Sequence, residues 1–411
     1  MARRIMFLAV MLGLIVISVF VGKWGFANMA STNADTTELA DLMIDLAPAD
    51  PQTHYSAAVL YNKKFLPVDQ KRSVSEYRTA VELSPNNYIL WLEYAKALER
   101  SGERDQADIA LKEALRLAPN YASVQWALGN LLIRNGEIEN GFGYLKSAVE
   151  GDPGYAGAAA AFTYQFFDGD LAKTRQVAGD SARANAALAL LLAKQKRFDE
   201  AVAIWRDVHD PSLDDSTMIA GQSLFAELVS AKKFAAAMNV YVTLHPESGV
   251  AAERLYDGGF EQAMKLEGSS LFEWNISAGN QPQVLQSTSQ VHGGSRCLVL
   301  RFNSPEGAGL RQVSQTVVVR PGASYTLSGF YRSDLNAEQK LVAQVTSAAN
   351  PAALAEAQLP TAPGWSQFNV NFHVPADTDA IVVNLMVKPC GSPICPINGS
   401  VWFDDLGLAA K

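Results

Sequence analysis

The stretch Asn87–Pro119, NYILWLEYAKALERSGERDQADIALKEALRLAP, decides the fold of the first half of the chain. Trp91, Tyr94, Ala95 and Leu98 fall on one face at helical spacing. Gly102 sits where that helix must stop and turn. Ala107, Leu111 and Ala114 then mark the contact face of a second helix, whose small alanines let the pair approach closely. Pro119 ends the pair because its ring cannot continue a helix. The same proline recurs in VELSPNNY, LRLAPNYA and VEGDPGYA as Pro85, Pro119 and Pro153, 34 residues apart each time. A fixed period of this size predicts a stacked array of helical hairpins.

The next unit repeats the pattern with Leu128, Gly129, Gly136, Ala148 and Pro153. The preceding one, from about His54, keeps Tyr77, Ala80 and Pro85, but its turn KKFLPVDQKRS has no glycine. KRFDEAVAIW and KKFAAAMNVY align 36 residues apart, from Phe198 to Phe234, with Ala201 and Ala237 at the small contact position. At these residues the chain resembles the tetratricopeptide repeat (TPR) family, departing at Gly141, where the family has Ala. The resemblance implies an all-α solenoid over 38–246, with a partner groove on the concave face of the first helices. Ile89, Leu92, Lys96, Arg100, Trp126, Asn130 and Arg134 would line it, with Ile133 beside them. Cations with aromatics suit a peptide or an acidic partner segment. The family's carboxylate clamp is not reproduced beyond Asn130. The competing reading makes Lys96, Arg100 and Arg134 a solvated face and Trp126 packing.

Before the repeats, Arg3 and Arg4 precede 18 uncharged residues, Ile5 to Gly22. As a helix this run is about 27 Å long, close to a hydrocarbon thickness of roughly 30 Å. Basic residues before it put the N-terminus in the cytoplasm, and Lys23 and Trp24 read as an interfacial anchor. The expected organisation is a cytoplasmic tip and anchor over 1–30, a linker over 31–37, the repeats, a linker over 247–256 and a last domain over 257–411. A cleaved signal peptide ending in GFA, before Asn28, is the alternative. Either way the bulk of the chain is exported, and the expected location is a bacterial inner membrane with that bulk in the periplasm.

From Leu255 alternation of period two replaces helical spacing. RCLVLRF, QVSQTVVV, SYTLSGFY, LVAQVTSA, WSQFNVNF and AIVVNLMV read as strands between Gly/Pro/Asn/Asp turns, which predicts an antiparallel sandwich. In WSQFNVNFHV, Phe368, Val370, Phe372 and Val374 share a dry face; Trp365, Gln367, Asn369, Asn371 and His373 share a polar one. DGGFE (257–261), FEW (272–274), GGSRCLVL, VVVRPGASYTLSGFYR, GWSQFNVNFHVP and the closing VWFDDLGL together resemble the jelly-roll carbohydrate-binding modules of families 4 and 9. Sugar binding needs aromatic platforms and planar polar groups, which nominates Trp274, Tyr331, Arg332, Gln367, Asn369, Asn371 and Trp402. Against this, Trp274 and Trp365 lie in stretches that often pack the sandwich in that family, and the polar row could simply face water. The resemblance also implies a structural calcium held by Glu261 with Asp405 or Asp404, since calcium takes carboxylate oxygens.

Nothing in the sequence assembles a catalytic site. The histidines, His54, His209, His245, His292 and His373, are scattered and fit no H-E-x-x-H pattern. There is no G-x-S-x-G elbow and no phosphate-binding loop. Adjacent Asp404 and Asp405 in a strand are expected on opposite faces, so they cannot form a catalytic pair. Cys390 and Cys395 of CGSPIC are positioned for a local disulfide in an exported chain, and Cys297 reads as a small buried hydrophobe. A net charge of -8 argues against a nucleic-acid footprint. The expected function is a non-enzymatic, membrane-anchored scaffold. It would take a protein partner on the repeats and a polysaccharide on the sandwich, in assembly or export of a cell-surface polysaccharide. The alternative is a purely protein–protein scaffold with a structural sandwich.

Overall fold

The structure, a computed structural model, describes residues 2–64, 66–208, 214–265, 267–305, 309–390 and 395–411, apart from the side chains of Ala2, Arg3, Ile5 and Ala9. Phe65 of the glycine-free turn, His209 and the four residues between Cys390 and Cys395 lie outside the described residues. The chain divides into two compact units, Met1–Ala184 and Asn185–Lys411.

The first unit is all helical. It holds α1 (Ala2–Thr32), α2 (Thr37–Leu46), α3 (Pro51–Asn62), α4 (Pro67–Leu83), α5 (Tyr88–Arg100) and α6 (Arg104–Leu117). These are followed by α7 (Ala122–Arg134), α8 (Ile138–Gly151), α9 (Ala156–Phe166) and α10 (Leu171–Ala178). Successive helices pair as hairpins: α3 with α4, α5 with α6, α7 with α8, α9 with α10. Gly102 turns the second hairpin at φ +85°, and the Glu103 amide returns to the Leu98 carbonyl, closing the helix end. Gly136 repeats this at φ +91°. The alanines read as contact residues are fully buried: Ala107 and Ala114 are at 0% exposure, packed with Tyr77, Leu98 and Leu128.

Gly141 has a steric cause. A Cβ there would stand 2.4 Å from Ile133 Cγ1 and 2.8 Å from the Gly129 carbonyl. A Cβ on Gly129 would stand 2.8 Å from the Gly141 carbonyl. At this crossing α7 and α8 meet backbone to backbone, closer than an alanine allows.

The division between units falls within α11 (Ala182–Lys194). The second unit continues with α12 (Phe198–Trp205), α13 (Asp215–Ser230) and α14 (Phe234–Leu244). Lys196 (φ +64°) and Lys232 (φ +59°) take the turn conformation that glycine takes in the first unit. Strands follow: β1 (Asn275–Ile276), β2 (Gln283–Ser287), β3 (Cys297–Ser304), β4 (Val313–Val318), β5 (Ser324–Ser333) and β6 (Asn336–Ala337). After them come β7 (Leu341–Ser347), β8 (Ala353–Gln358), β9 (Ala362–His373), β10 (Ala380–Val387) and β11 (Ile397–Ala410).

They form two antiparallel sheets, ordered β1-β4-β10-β7-β8 and β2-β3-β11-β5-β9, with β6 paired to β11. Alternation places Tyr325, Leu327 and Tyr331 of β5, and Phe368, Val370 and Phe372 of β9, between the sheets. The last helical hairpin belongs to the same unit as the sandwich. Phe272 is wedged against Phe225 of α13 and Tyr241 of α14, at ring distances of 6.1 and 5.7 Å. The Asp379 carboxylate accepts the α14 amides of Phe234 and Ala235. Cys390 and Cys395 are disulfide-bonded, and Cys297 is buried, which pushes its thiol up to about 11.

Candidate functional site

The first helices of the repeats line a cleft of about 620 Å³ in the helical unit. Tyr55, Val59 and Asn62 project from α3 at positions i, i+4 and i+7, so one helical face supplies one wall. Tyr77 of α4 contributes as well, and Glu93, Lys96, Glu99 and Arg100 of α5 form the other wall, with Lys63 at the α3 terminus. Burial, reinforced by the Glu93 charge, holds the Tyr55 and Tyr77 phenols above their usual range, so both are neutral donors at ordinary pH.

Lys96 and Arg100 both stand on the cleft wall. Lys96 pairs with Glu93 at 2.7 Å. Arg100 meets the Asn62 amide oxygen once that amide is turned toward it, at 2.6 Å. Arg134 reaches the cleft rim through an ion pair with Glu99. Leu92 is a correction: at 5% exposure it packs in the repeat core and cannot touch a partner. Trp126 stacks on Tyr155 at 4.9 Å and packs beside Ile133, and its backbone carbonyl accepts from Asn130. Ile89 is exposed. Tyr55, Val59, Asn62, Lys63, Glu93 and Glu99 carry no site signal in the sequence reading, and Tyr77 enters it only as a repeat landmark. The period-matched spacing on α3 was a usable signal, obscured by the missing glycine after it.

Beneath the same hairpin lies a buried ion pair. His54 Nδ1 is 2.6 Å from Glu76 Oε2 and Nε2 is 3.0 Å from the Pro48 carbonyl, while Arg72 Nε donates to Glu76 Oε1 at 2.8 Å. Two acceptors flank one ring, so both nitrogens must carry protons to satisfy them. Burial alone would push the imidazole down, but Glu76 and Pro48 outweigh it and hold His54 above its usual range.

In the sandwich, a second constellation occupies the outward face of β5, β9 and β11. Register puts Trp402 opposite Arg332, and the guanidinium lies over the indole at 5.2 Å. Arg332 also donates to Gln290 Oε1 at 3.1 Å. Gln367, Asn369 and Asn371 stand opposite Phe330, Ser328 and Thr326. Phe330 carries the His292 ring stacked at 3.7 Å, and Trp365 meets that ring edge-on at 5.6 Å. Arg332, Gln367, Asn369, Asn371 and Trp402 therefore share one surface.

Trp274 and Tyr331 do not belong to it. Both are core residues, at 3% and 4% exposure, spending their polar atoms on the Asp257 and Pro360 carbonyls. No sugar ring can stack on a side chain sealed between two sheets. Gln290, His292 and Phe330 were missed: the first two arrive on a loop whose place is set by contacts more than a hundred residues away.

That loop explains the two adjacent aspartates. Asp405 adopts φ +49° at a bulge in β11, which cancels the alternation that would have sent Asp404 and Asp405 to opposite faces. Both meet residues 292–293. Asp404, fully buried, accepts the amides of His292 (2.8 Å), Gly293 (3.1 Å) and Asp405 (2.8 Å). Asp405 Oδ2 accepts from His292 Nδ1 at 2.6 Å.

Glu261 takes the amides of Ser295 and Arg296 and the Ser295 hydroxyl. These donors hold its carboxyl below the usual range. A Cβ on Gly293 would stand 2.4 Å from Asp405 Oδ2, and one on Gly294 1.9 Å from Glu261 Oε1. Two carboxylates thus press on one glycine pair, and both already accept protein donors, three at Glu261 and His292 at Asp405. Asp404 is the least suited of the three acids to a calcium ion, because it is fully buried and three backbone amides claim it. Among the described residues no three metal-ligating side chains cluster, so further oxygens would have to come from backbone and water. The Leu406 amide donates to the Gly258 carbonyl, which joins the domain's opening and closing segments directly.

Residues 95–156 match the tetratricopeptide repeat family model. No curated protein matches the sequence. Among solved structures, the chain is similar to a family 4 carbohydrate-binding module (CBM4), 13% identical over 38% of this chain and 99% of that one, TM-score 0.30. It is also similar to pilF of Pseudomonas aeruginosa, 14% identical over 56% of this chain and 95% of that one, TM-score 0.32. A third is YrrB, described as a TPR protein with an unusual peptide-binding site, 15% identical over 52% and 95%, TM-score 0.27. This chain carries tetratricopeptide-type helical repeats followed by an all-β sandwich of two sheets, behind one apolar N-terminal helix of a length and composition able to cross a membrane.

Proposed function

We propose that the chain is a membrane-anchored adaptor of a bacterial envelope, exposing its bulk to the periplasm and docking an acidic segment of a protein partner in the cleft of α3 and α5. The observation that supports this best is the cleft's composition: Lys63, Lys96 and Arg100 beside the neutral phenol of half-buried Tyr55, with Glu93 engaged by Lys96 and Glu99 by Arg134. Cations at a groove rim steer an acidic segment, and the tyrosine gives it apolar area with a polar tip. The test is capture of labelled Asp/Glu-rich peptides by the full chain. Lys96→Ala with Arg100→Ala should weaken it about tenfold or more, and unchanged capture would reject the cleft.

The sandwich face would hold a polysaccharide undergoing assembly or export, with Trp402 and Trp365 as platforms and Gln367, Asn369 and Asn371 as hydroxyl partners. Affinity electrophoresis of the full chain in gels of acidic and neutral polysaccharides tests this, with Trp402→Ala as the control. No retardation in any gel would sink it. The second reading, a protein–protein scaffold whose sandwich is structural, draws support from one observation: the Trp402 ring is already covered by Arg332. We further propose that Glu261 and Asp405 hold a structural calcium ion. Chelation should then lower the melting temperature of the sandwich, and an unchanged melt would leave the tie to protein donors alone.

A further inference from the structure

We propose that α1 is retained after export and is at once the membrane span and the first structural helix of the solenoid, so the repeats are mounted on the bilayer without a swivel. This rests on the membrane-anchor reading above. The evidence is an abrupt change of surroundings along one unbroken helix. From Met6 to Phe26 every described side chain is exposed, and the run is apolar around its whole circumference except at Ser18 and Lys23. At Ala27 exposure falls to 0%, and Ser31, one turn on, is at 1%.

Ala27 clusters with Met43 of α2 and Ala47 just after that helix, and Ala30 packs against the same group. Asn28 donates to Asp50 Oδ2 at 2.8 Å. Asp50 is itself 1% exposed, and its other oxygen caps α3 at the Gln52 amide. Removing Asn28 would leave a buried carboxylate oxygen without its donor, which is costly.

Cleavage after Ala27 is therefore in conflict with the fold. It would strip Ala27 from a closed cluster and place a charged amino group on Asn28, beside the alanines that the cluster buries. The occupant of the exposed part is bilayer hydrocarbon: a helix apolar on every side, with cations at Arg4 and Lys23, offers no polar face to water or to a soluble partner. Lys23 precedes Ala27 by about one helical turn, roughly 6 Å, so α2 and the start of α3 ride at the headgroup level.

The experiment uses the full chain with a C-terminal tag, expressed in a bacterium and purified from its membranes. Its intact mass should include α1; a mature chain beginning at Asn28, or anywhere between residues 20 and 32, would overturn the proposal. Ala27→Trp should lower the melting temperature of the helical unit in detergent by about 4 °C or more, while exposed Phe26→Ala leaves it unchanged. Should Ala27→Trp not accumulate, Asn28→Ala should give a smaller drop of about 2 °C. Wild-type melting in these variants would overturn the docking of α1. Release of intact, full-length protein from membranes by alkaline carbonate would instead reject the membrane reading itself, a distinct failure.

Discussion

The cleft of the helical unit draws on two adjacent hairpins, whereas the sheet face gathers Gln290, His292, Phe330, Trp365 and Trp402 from four separate segments. In the solenoid, a residue's place in the repeat fixes its surroundings, so Lys96 and Arg100 face the cleft for the same reason that Ala107 is buried. In the sandwich, surroundings are fixed by register and by loops that fold back. A single bulge at Asp405 reverses where two carboxylates point. Local structures tolerate local change; structures closed over long range fail at their closing contacts.

That contrast can be broken first at Asp404. Asp404→Ala leaves three backbone amides of the 292–294 turn and the bulge without an acceptor, and should cost about 3–5 kcal/mol in urea melts of the full chain. A loss under 1 kcal/mol would show that the loop holds without it. The next largest effect tests the helical side. Gly141→Ala restores the family residue and improves helix propensity by ~1 kcal/mol, yet it should destabilise the helical unit by about 1–3 kcal/mol. The reason is the 2.4 Å approach to Ile133. A stabilised variant would mean that α7 and α8 separate freely.

The His54 pair gives a smaller effect, a pH signature. Because the folded pKa is raised, its contribution is present in full below the unfolded value of about 6.5 and is lost as pH rises through the folded value. His54→Gln should flatten that part of the stability profile, measured by melts from acid to alkaline pH. The smallest effect concerns Lys196, a lysine in a glycine conformation: Lys196→Gly should stabilise the second unit by about 0.5–1 kcal/mol. Destabilisation would give its ion pair with Glu227 more weight than an exposed 3.6 Å contact normally has.

What was legible in the sequence follows the same division. Trp91, Gly102, Ala107 and Pro119 state their roles through spacing alone, and period two sorted β9 into dry and polar sides. Spacing did not show that Leu92 turns into the core or that Gly141 marks a closer helix crossing, since both depend on how tightly neighbouring helices pack. In the sandwich, Tyr331 and Arg332 are neighbours in sequence with opposite fates, decided by which side of β5 meets the other sheet. His292 could not be read at all. Its ring reaches Phe330 only because Asp404, 112 residues further on, holds its backbone.

The central claim is that the α3–α5 cleft recognises an acidic segment by charge and tyrosine contact. The most direct measurement is fluorescence anisotropy of labelled Asp/Glu-rich dodecapeptides titrated with the full chain, wild type against Lys96→Glu with Arg100→Glu and against Trp402→Ala. The account predicts saturable binding that weakens about tenfold or more in the charge-reversed cleft, weakens with salt, and is unchanged by Trp402→Ala. Equal affinity for all three proteins, or no binding to wild type, would contradict it.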